Sequence, residues 1–292
     1  MNYSQNQCAN LLCEIDLILK KIQDLCSSIK SDLVANTMNE YKLLVDEIVN
    51  LQQIYEEKYL NDIFDNILYK NIYNVFENIL KAYEERNREK LLYELQNNLV
   101  NCLVNLKENI ILDPVLQKDS RKLHIGGKEK KDGWEIFDAI KEEYVDHLGN
   151  AKDLSKFRDD TFDIIYASHV VEHFDYKDEL LQVLKEWKRV LKPNGKLYIS
   201  VPDLDILAQL FLLKDIDINS RFEIMRIIFG GHTTDYDYHY TGLNFEFLYS
   251  FLYQTGFKNI RRVNKFSIFN DTSNMELTSI PISLNVIAVK EL

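Results

Sequence analysis

The sequence predicts an α/β protein: a doubly wound, mainly parallel sheet in the second part, preceded by an all-α first part. Three observations carry this. Residues 1–113 contain no glycine and keep a helical apolar period throughout. From Leu123 onward, short β-rich runs alternate with helical ones. Between the two, Pro114 follows an aspartate and disfavours helix at the residue before it.

In the first part, Leu11, Ile15, Ile18, Ile22, Leu25 and Ile29 fall on one helical stripe. Leu44, Ile48, Leu51 and Tyr55 repeat the pattern, and Leu60, Ile63, Ile67, Val75 and Ile79 continue it with a wider face. After the polar "EERNREK", Leu92, Leu95, Leu99, Cys102 and Leu106 begin another stripe. A helical bundle or pair of hairpins over 1–113 is expected, with no catalytic spacing in it. Docking to a protein partner or self-association is the sensible role. The polar "QKDSRK" that follows makes a linker, so a separate domain over 119–292 is expected.

In the second part, "KLHIGG" and "WEIFDA" read as strands around a glycine-bearing loop, and "FDIIYAS" as a strand buried on both faces. "KDELLQVLKEWKRVLK" is an amphipathic helix stopped by Pro193-Asn194-Gly195, and "GKLYISVPD" is a second buried strand. "NFEFLYSFLYQTG" is a helix ended by Gly256. "FKNIRRVNKF" and "SLNVIAVKEL" have no long helix between them and suit an antiparallel edge hairpin.

The chain has 292 residues, a formal charge of −11 and 28% charged residues. Neither half is basic, so nucleic acid is not an expected partner. No run is apolar enough to span a bilayer, and the N-terminus lacks a signal-peptide pattern. Cys8, Cys13, Cys26 and Cys102 form no CxxC pair, which suits reduced thiols and a cytoplasmic location.

"FDIIYASHVVEHF", a helix, and then "EWKRVLKPNGKLYISVPD" resembles the central portion of class I S-adenosylmethionine-dependent methyltransferases. With "MRIIFGGHTTDYDYHYTGLNFEFL", it is most similar to a bacterial subgroup of glycan and surface-polysaccharide modification. The resemblance covers about residues 121–292. It implies a Rossmann-like, seven-stranded sheet with S-adenosylmethionine at the carboxyl ends of its first strands. It also implies that Gly126 and Gly127 form the first-strand loop and that Asp138 holds the ribose. Asp153 and Leu154 would border adenine, and Ser168 and His169 would close the site. The methyl acceptor would be an oxygen or nitrogen of a small molecule or glycan.

The first loop departs from the usual G-x-G: it reads Gly126-Gly127-Lys128. A lysine there cannot use positive φ cheaply. This leaves open a second reading, a catalytically inactive methyltransferase-like scaffold that binds a partner through its helical part. His169-Val170-Val171-Glu172-His173 also fits the inverted zincin pattern H-x-x-E-H. It follows a strand directly and no third-ligand motif follows it, so no metal is expected and His173 reads as a helix histidine. For the proton that an acceptor must lose, His239 is the first candidate base, followed by Asp203 and His169. Asp203 fits a helix N-cap equally well.

Overall fold

The computed structural model describes residues 3–30, 41–50, 66–112, 120–266 and 268–291. The chain divides into two compact units, Met1–Lys118 and Asp119–Leu292. Within the first, the described helices are α1 (Tyr3–Lys30), α2 (41–50), α3 (Asn66–Glu84), α4 (Arg88–Tyr93) and α5 (Val100–Leu112). The predicted stripes form their core: Leu11, Ile15, Ile18, Ile22, Leu25 and Ile29 meet Leu44, Ile48, Val75, Ile79, Leu95, Leu99 and Leu106. Leu51, Tyr55, Leu60, Ile63 and the Pro114 linker lie outside the described residues.

Asn87 caps α4 by accepting from the Lys90 N–H at 3.0 Å. A π-helical turn, Glu94–Leu99, joins α4 to α5. The wider turn rotates the face, so Leu103 is fully buried and Cys102, one residue off, only partly.

The second unit is built on a seven-stranded sheet. Its strands are β1 (Lys122–Ile125), β2 (Trp134–Asp138), β3 (His147–Leu148), β4 (Phe162–Ser168), β5 (Leu191–Pro202), β6 (Phe257–Val263) and β9 (Ser283–Lys290). They lie in the order β3-β2-β1-β4-β5-β9-β6. Strands β1 to β5 pair in parallel, while β9 runs antiparallel to both β5 and β6. The expected hairpin is therefore present, with β6 as the sheet edge. A two-stranded ribbon, β7 (Glu276–Leu277) with β8 (Ile280–Pro281), stands apart.

Strand alternation sorts side chains onto two different covers. Leu123, Ile125, Leu197, Ile199, Val201, Leu284 and Val286 share one face with α6 (Glu179–Val190) and α9 (Phe245–Gln254). The other face is aromatic: His124, Trp134, Tyr166 and Tyr198 pack on Phe266 and Phe269. Connections also differ from a regular doubly wound pattern. No α-helix joins β1 to β2, β2 to β3 or β3 to β4, and the segment after β6 covers the face instead.

Two sequence expectations shift. Helix α6 ends at Val190 and β5 begins at Leu191, before Pro193-Asn194-Gly195. Those residues form a bulge within β5: Leu191 pairs with Phe162, the next pair is Lys196 with Ile164, and Asn194 has φ 63°. His169-to-His173 is not α-helical either. Val171–His173 is one 3-10 turn, and His169 sits in the left-handed region at φ 53°. Two helices follow β5, namely α7 (Leu204–Phe211) and α8 (Ile218–Phe229), whose Leu207, Leu210 and Ile224 pack with Ile282.

Candidate active site

Parallel strands place their carboxyl ends on one edge, and loops there converge. In the second unit those loops enclose a cleft of about 1010 Å³. Gly126 and Lys128 line it from β1, Asp138 from β2, Asn150 and Ala151 from β3, and Ser168 and His169 from β4.

The glycine loop answers the question raised by Lys128. Gly126 has φ 74°, and a Cβ on it would lie 2.7 Å from Val170 Cγ2. A Cβ on Gly127 would lie 2.6 Å from His124 Nδ1. Both positions need glycine. Lys128 is not among the positive-φ residues and is exposed, so a lysine is accommodated without strain. The support that this residue lent to a scaffold reading disappears.

Asp138 ends β2 as expected, and its Oδ1 accepts from the Ile140 N–H at 2.7 Å. That bond holds the carboxylate at the cleft wall. The neighbouring loop is held from behind by α6. The indole N–H of Trp187 donates to the Ala151 carbonyl at 2.9 Å. Glu186 accepts from Leu154 N–H at 3.1 Å, and Arg189 donates to the carbonyls of Leu154 and Phe157 at 3.1 and 3.0 Å.

This geometry sets Asp153 and Leu154, expected beside adenine, off the cleft lining. Leu154 is fully buried in the core, and Asp153 is exposed, its carboxylate turned back to the Ser155 N–H at 2.9 Å. Neither lines the cleft. Asn150 and Ala151, three residues earlier, do. Gly127 likewise sits behind the lining, against His124.

A wall that the sequence did not reveal comes from Phe269–Thr272. The Tyr166 hydroxyl donates to Asp271 at 3.0 Å, and the Ser168 and Thr272 hydroxyls share a bond of 2.8 Å. The only signal was "NDTS", a turn-capping pattern, with Asp271 accepting from the Ser273 N–H.

His124 lies under that wall, with its ring 4.2 Å from Phe269 and its Nδ1 without a hydrogen-bond partner. Burial pushes its pKa down to about 4, with Asp271 opposing and Lys131 reinforcing. A histidine depressed in the folded state binds fewer protons than in the unfolded chain, so stability is lost as pH falls from about 6.5 toward 4. The loss attributable to His124 should reach about 3 kcal/mol at the acid end of that window. Melting curves between pH 7 and pH 4 should therefore fall less steeply for His124→Leu. Parallel curves would show that this histidine does not titrate on unfolding.

Another side of the cleft is built from the 230s loop folded onto the turn after β4. The backbone N–H groups of Tyr240 and Thr241 donate to the Glu172 carbonyl at 2.8 and 3.1 Å. The Thr241 hydroxyl donates to Phe174 O at 2.6 Å. Four side chains meet there. His169 Nδ1 is 3.6 Å and His239 Nε2 3.9 Å from Glu172 Oε1, and the rings of His173 and His239 are 4.9 Å apart. Burial raises the Glu172 carboxyl to about 8. Burial, with the neighbouring histidines, lowers His239 to about 4 and His169 to about 3.

The three candidate bases separate in space. His169 lines the cleft, and His239 stands one layer behind it beside His173, which does line it. Asp203 is buried away from the cleft. It caps α7 by accepting from Asp205 N–H and Ile206 N–H, and pairs with Arg262 at 2.8 Å.

The family model described as a methyltransferase domain matches residues 133–199, from the start of β2 into β5. Over 62 residues the chain is 37% identical to an uncharacterized protein of Methanocaldococcus jannaschii. That alignment covers 21% of this chain, and the chain spans about a quarter (26%) of that relative's length. A SAM-dependent methyltransferase of Methanosarcina mazei is similar at 20% identity, 62% and 97% of the two chains, with TM-score 0.40. One from Archaeoglobus fulgidus is similar at 18% identity, 59% and 87%, with TM-score 0.39.

The β3-β2-β1-β4-β5-β9-β6 order has one antiparallel strand, and the cleft at its carboxyl edge has a glycine cradle and a fixed acid. No helix of the described residues is long and apolar enough to cross a membrane. The methyltransferase-domain match thus falls within the second unit, on the strands β2 to β5 whose carboxyl ends carry much of the cleft.

Proposed function

We propose that this domain transfers a methyl group to an oxygen or nitrogen of a small-molecule or glycan acceptor. The observation that carries the reading is one cleft lined together by Gly126 of the glycine loop, Asp138 at the end of β2, and Asn150 and Ala151. A nucleoside fits those groups: Asp138 would accept from ribose hydroxyls, and the loop at 150–151 would border the base. Ser168 and His169 would flank the sulfur end.

S-adenosylmethionine supplies a methyl group already activated on a sulfonium, so the residues mainly hold, orient and dry the site. The acceptor loses one proton as it takes the methyl group. The His169–Glu172–His173–His239 cluster, whose His169 and His173 line the cleft, would receive or stabilise that charge. The acidic chain and the exposed Tyr236, Tyr238 and Tyr240 along the cleft suit a neutral, hydroxyl-rich acceptor better than nucleic acid. Incubating the protein with methyl-labelled donor and panels of sugar and amine acceptors tests this reading. Label transfer to neither class would remove the acceptor assignment.

A further inference from the structure

Glu172 is 1% exposed, and neither carboxylate oxygen has a hydrogen-bond partner. A buried carboxyl group without a hydrogen bond is costly, and a cation facing it would offset that cost. The groups that do surround it are imidazoles. One ligand atom each from Glu172, His173 and His239 lies within 4.8 Å of the others.

The orientation of His173 adds an independent sign. Its Nδ1 is 3.0 Å from the Tyr238 carbonyl, which can only accept, so Nδ1 carries the proton and Nε2 the lone pair. That is the arrangement a metal-ligating histidine needs. His239 is held by the same loop, its backbone N–H donating to Phe229 O at 3.1 Å. The 230s loop thus delivers both the ring that ligates and the carbonyl that orients its neighbour.

We propose that Glu172, His173 and His239 bind one divalent transition-metal cation of the zinc class at the wall of the cleft. Two imidazole nitrogens and one carboxylate oxygen suit such ions and leave coordination positions for water or substrate. Ligands about 2 Å from a shared zinc stand about 3–4 Å apart, so the set closes on an ion by small side-chain rotations. The 3.9 Å between His239 Nε2 and Glu172 Oε1 already falls in that span. His169, which approaches the same carboxylate at 3.6 Å, is occupied on its other side by the Ser283 hydroxyl at 3.1 Å.

The pattern H-x-x-E-H had pointed away from metal because no third ligand followed it. The third ligand, His239, comes from a loop far along the chain, and the Tyr240 and Thr241 backbone bonds to Glu172 bring it in. The ion site stands or falls on its own. Its use, holding an acceptor hydroxyl so that the proton leaves more easily, rests on the methyl-transfer reading and narrows the acceptor to an oxygen.

The test uses full-length, untagged protein stripped with chelator and titrated with Zn²⁺, Co²⁺ and Mg²⁺, alongside E172Q and H239N. S-adenosylmethionine binding is measured on the same samples. The expected result is one tight equivalent of Zn²⁺ or Co²⁺ per chain, a nitrogen/oxygen-type Co²⁺ spectrum, and its loss in both variants with cofactor affinity kept. A variant that no longer melts cooperatively is replaced by H173N, read the same way. Three results would each overturn the proposal: no binding to the parent, equal binding to parent and variants, or a thiolate band placing the ion on cysteines. Preference for Mg²⁺ would overturn the zinc-class assignment. Metal binding without S-adenosylmethionine binding would leave the site standing and remove the methyl-transfer reading.

Discussion

Asp138→Ala should weaken S-adenosylmethionine binding by about 10- to 100-fold, the worth of a hydrogen bond to a charged acceptor. Asp138 sits at the last position of β2, where the strand ends and the side chain is only partly buried. Its carboxylate accepts from the Ile140 N–H in the next turn. Removing the side chain would delete the proposed ribose contact but no core packing, so the melting temperature should barely move. Calorimetric titration of parent and variant decides the matter. Equal affinities would remove Asp138 from the cofactor site, and a large loss of stability would show that its bond to Ile140 is structural.

Trp187→Ala should cost about 3–5 kcal/mol of stability, the range for deleting a large buried aromatic side chain. Trp187 is fully buried on α6 and packs edge-on to Phe174, with centroids 6.5 Å apart. It also holds the cleft, because its indole N–H is bonded to the Ala151 carbonyl. Trp187→Phe separates the two roles. It keeps most of the packing and removes only the donor, at about 1 kcal/mol, and it should lower cofactor affinity more than that stability loss suggests. Denaturant unfolding and calorimetry on both variants give the comparison. A Trp187→Ala loss below about 1 kcal/mol would contradict the packing account.

Much of this was legible in the sequence, for reasons that can be named. The stripe from Leu11 to Ile29 is buried because helical period is a local property. Asp138 could be placed because the "WEIFDA" run ends in one step at a polar residue. Strand β3 could not be placed, since two residues, His147 and Leu148, leave no period to read. The Phe269–Thr272 wall was hidden because its attachment runs through Tyr166 and Ser168, a hundred residues earlier.

The adenine-side loop is a subtler case. The resemblance implied Asp153 and Leu154, but the leucine is buried in the core and the aspartate bonds within its own turn. The polar residue left facing the cleft is Asn150. The Glu172 cluster failed for the opposite reason: its local pattern was visible, and its partner His239 was a singled-out residue in another segment. Only folding the 230s loop back onto Glu172 joins the two.

The central claim is that the cleft at the carboxyl ends of β1, β2 and β4 holds S-adenosylmethionine. Calorimetric titration of the full-length chain with S-adenosylmethionine and with S-adenosylhomocysteine tests it most directly. Saturable binding of both at a single site, weakened by Asp138→Ala, is the predicted result. Heats no larger than dilution for both ligands, in protein that unfolds cooperatively, would contradict it.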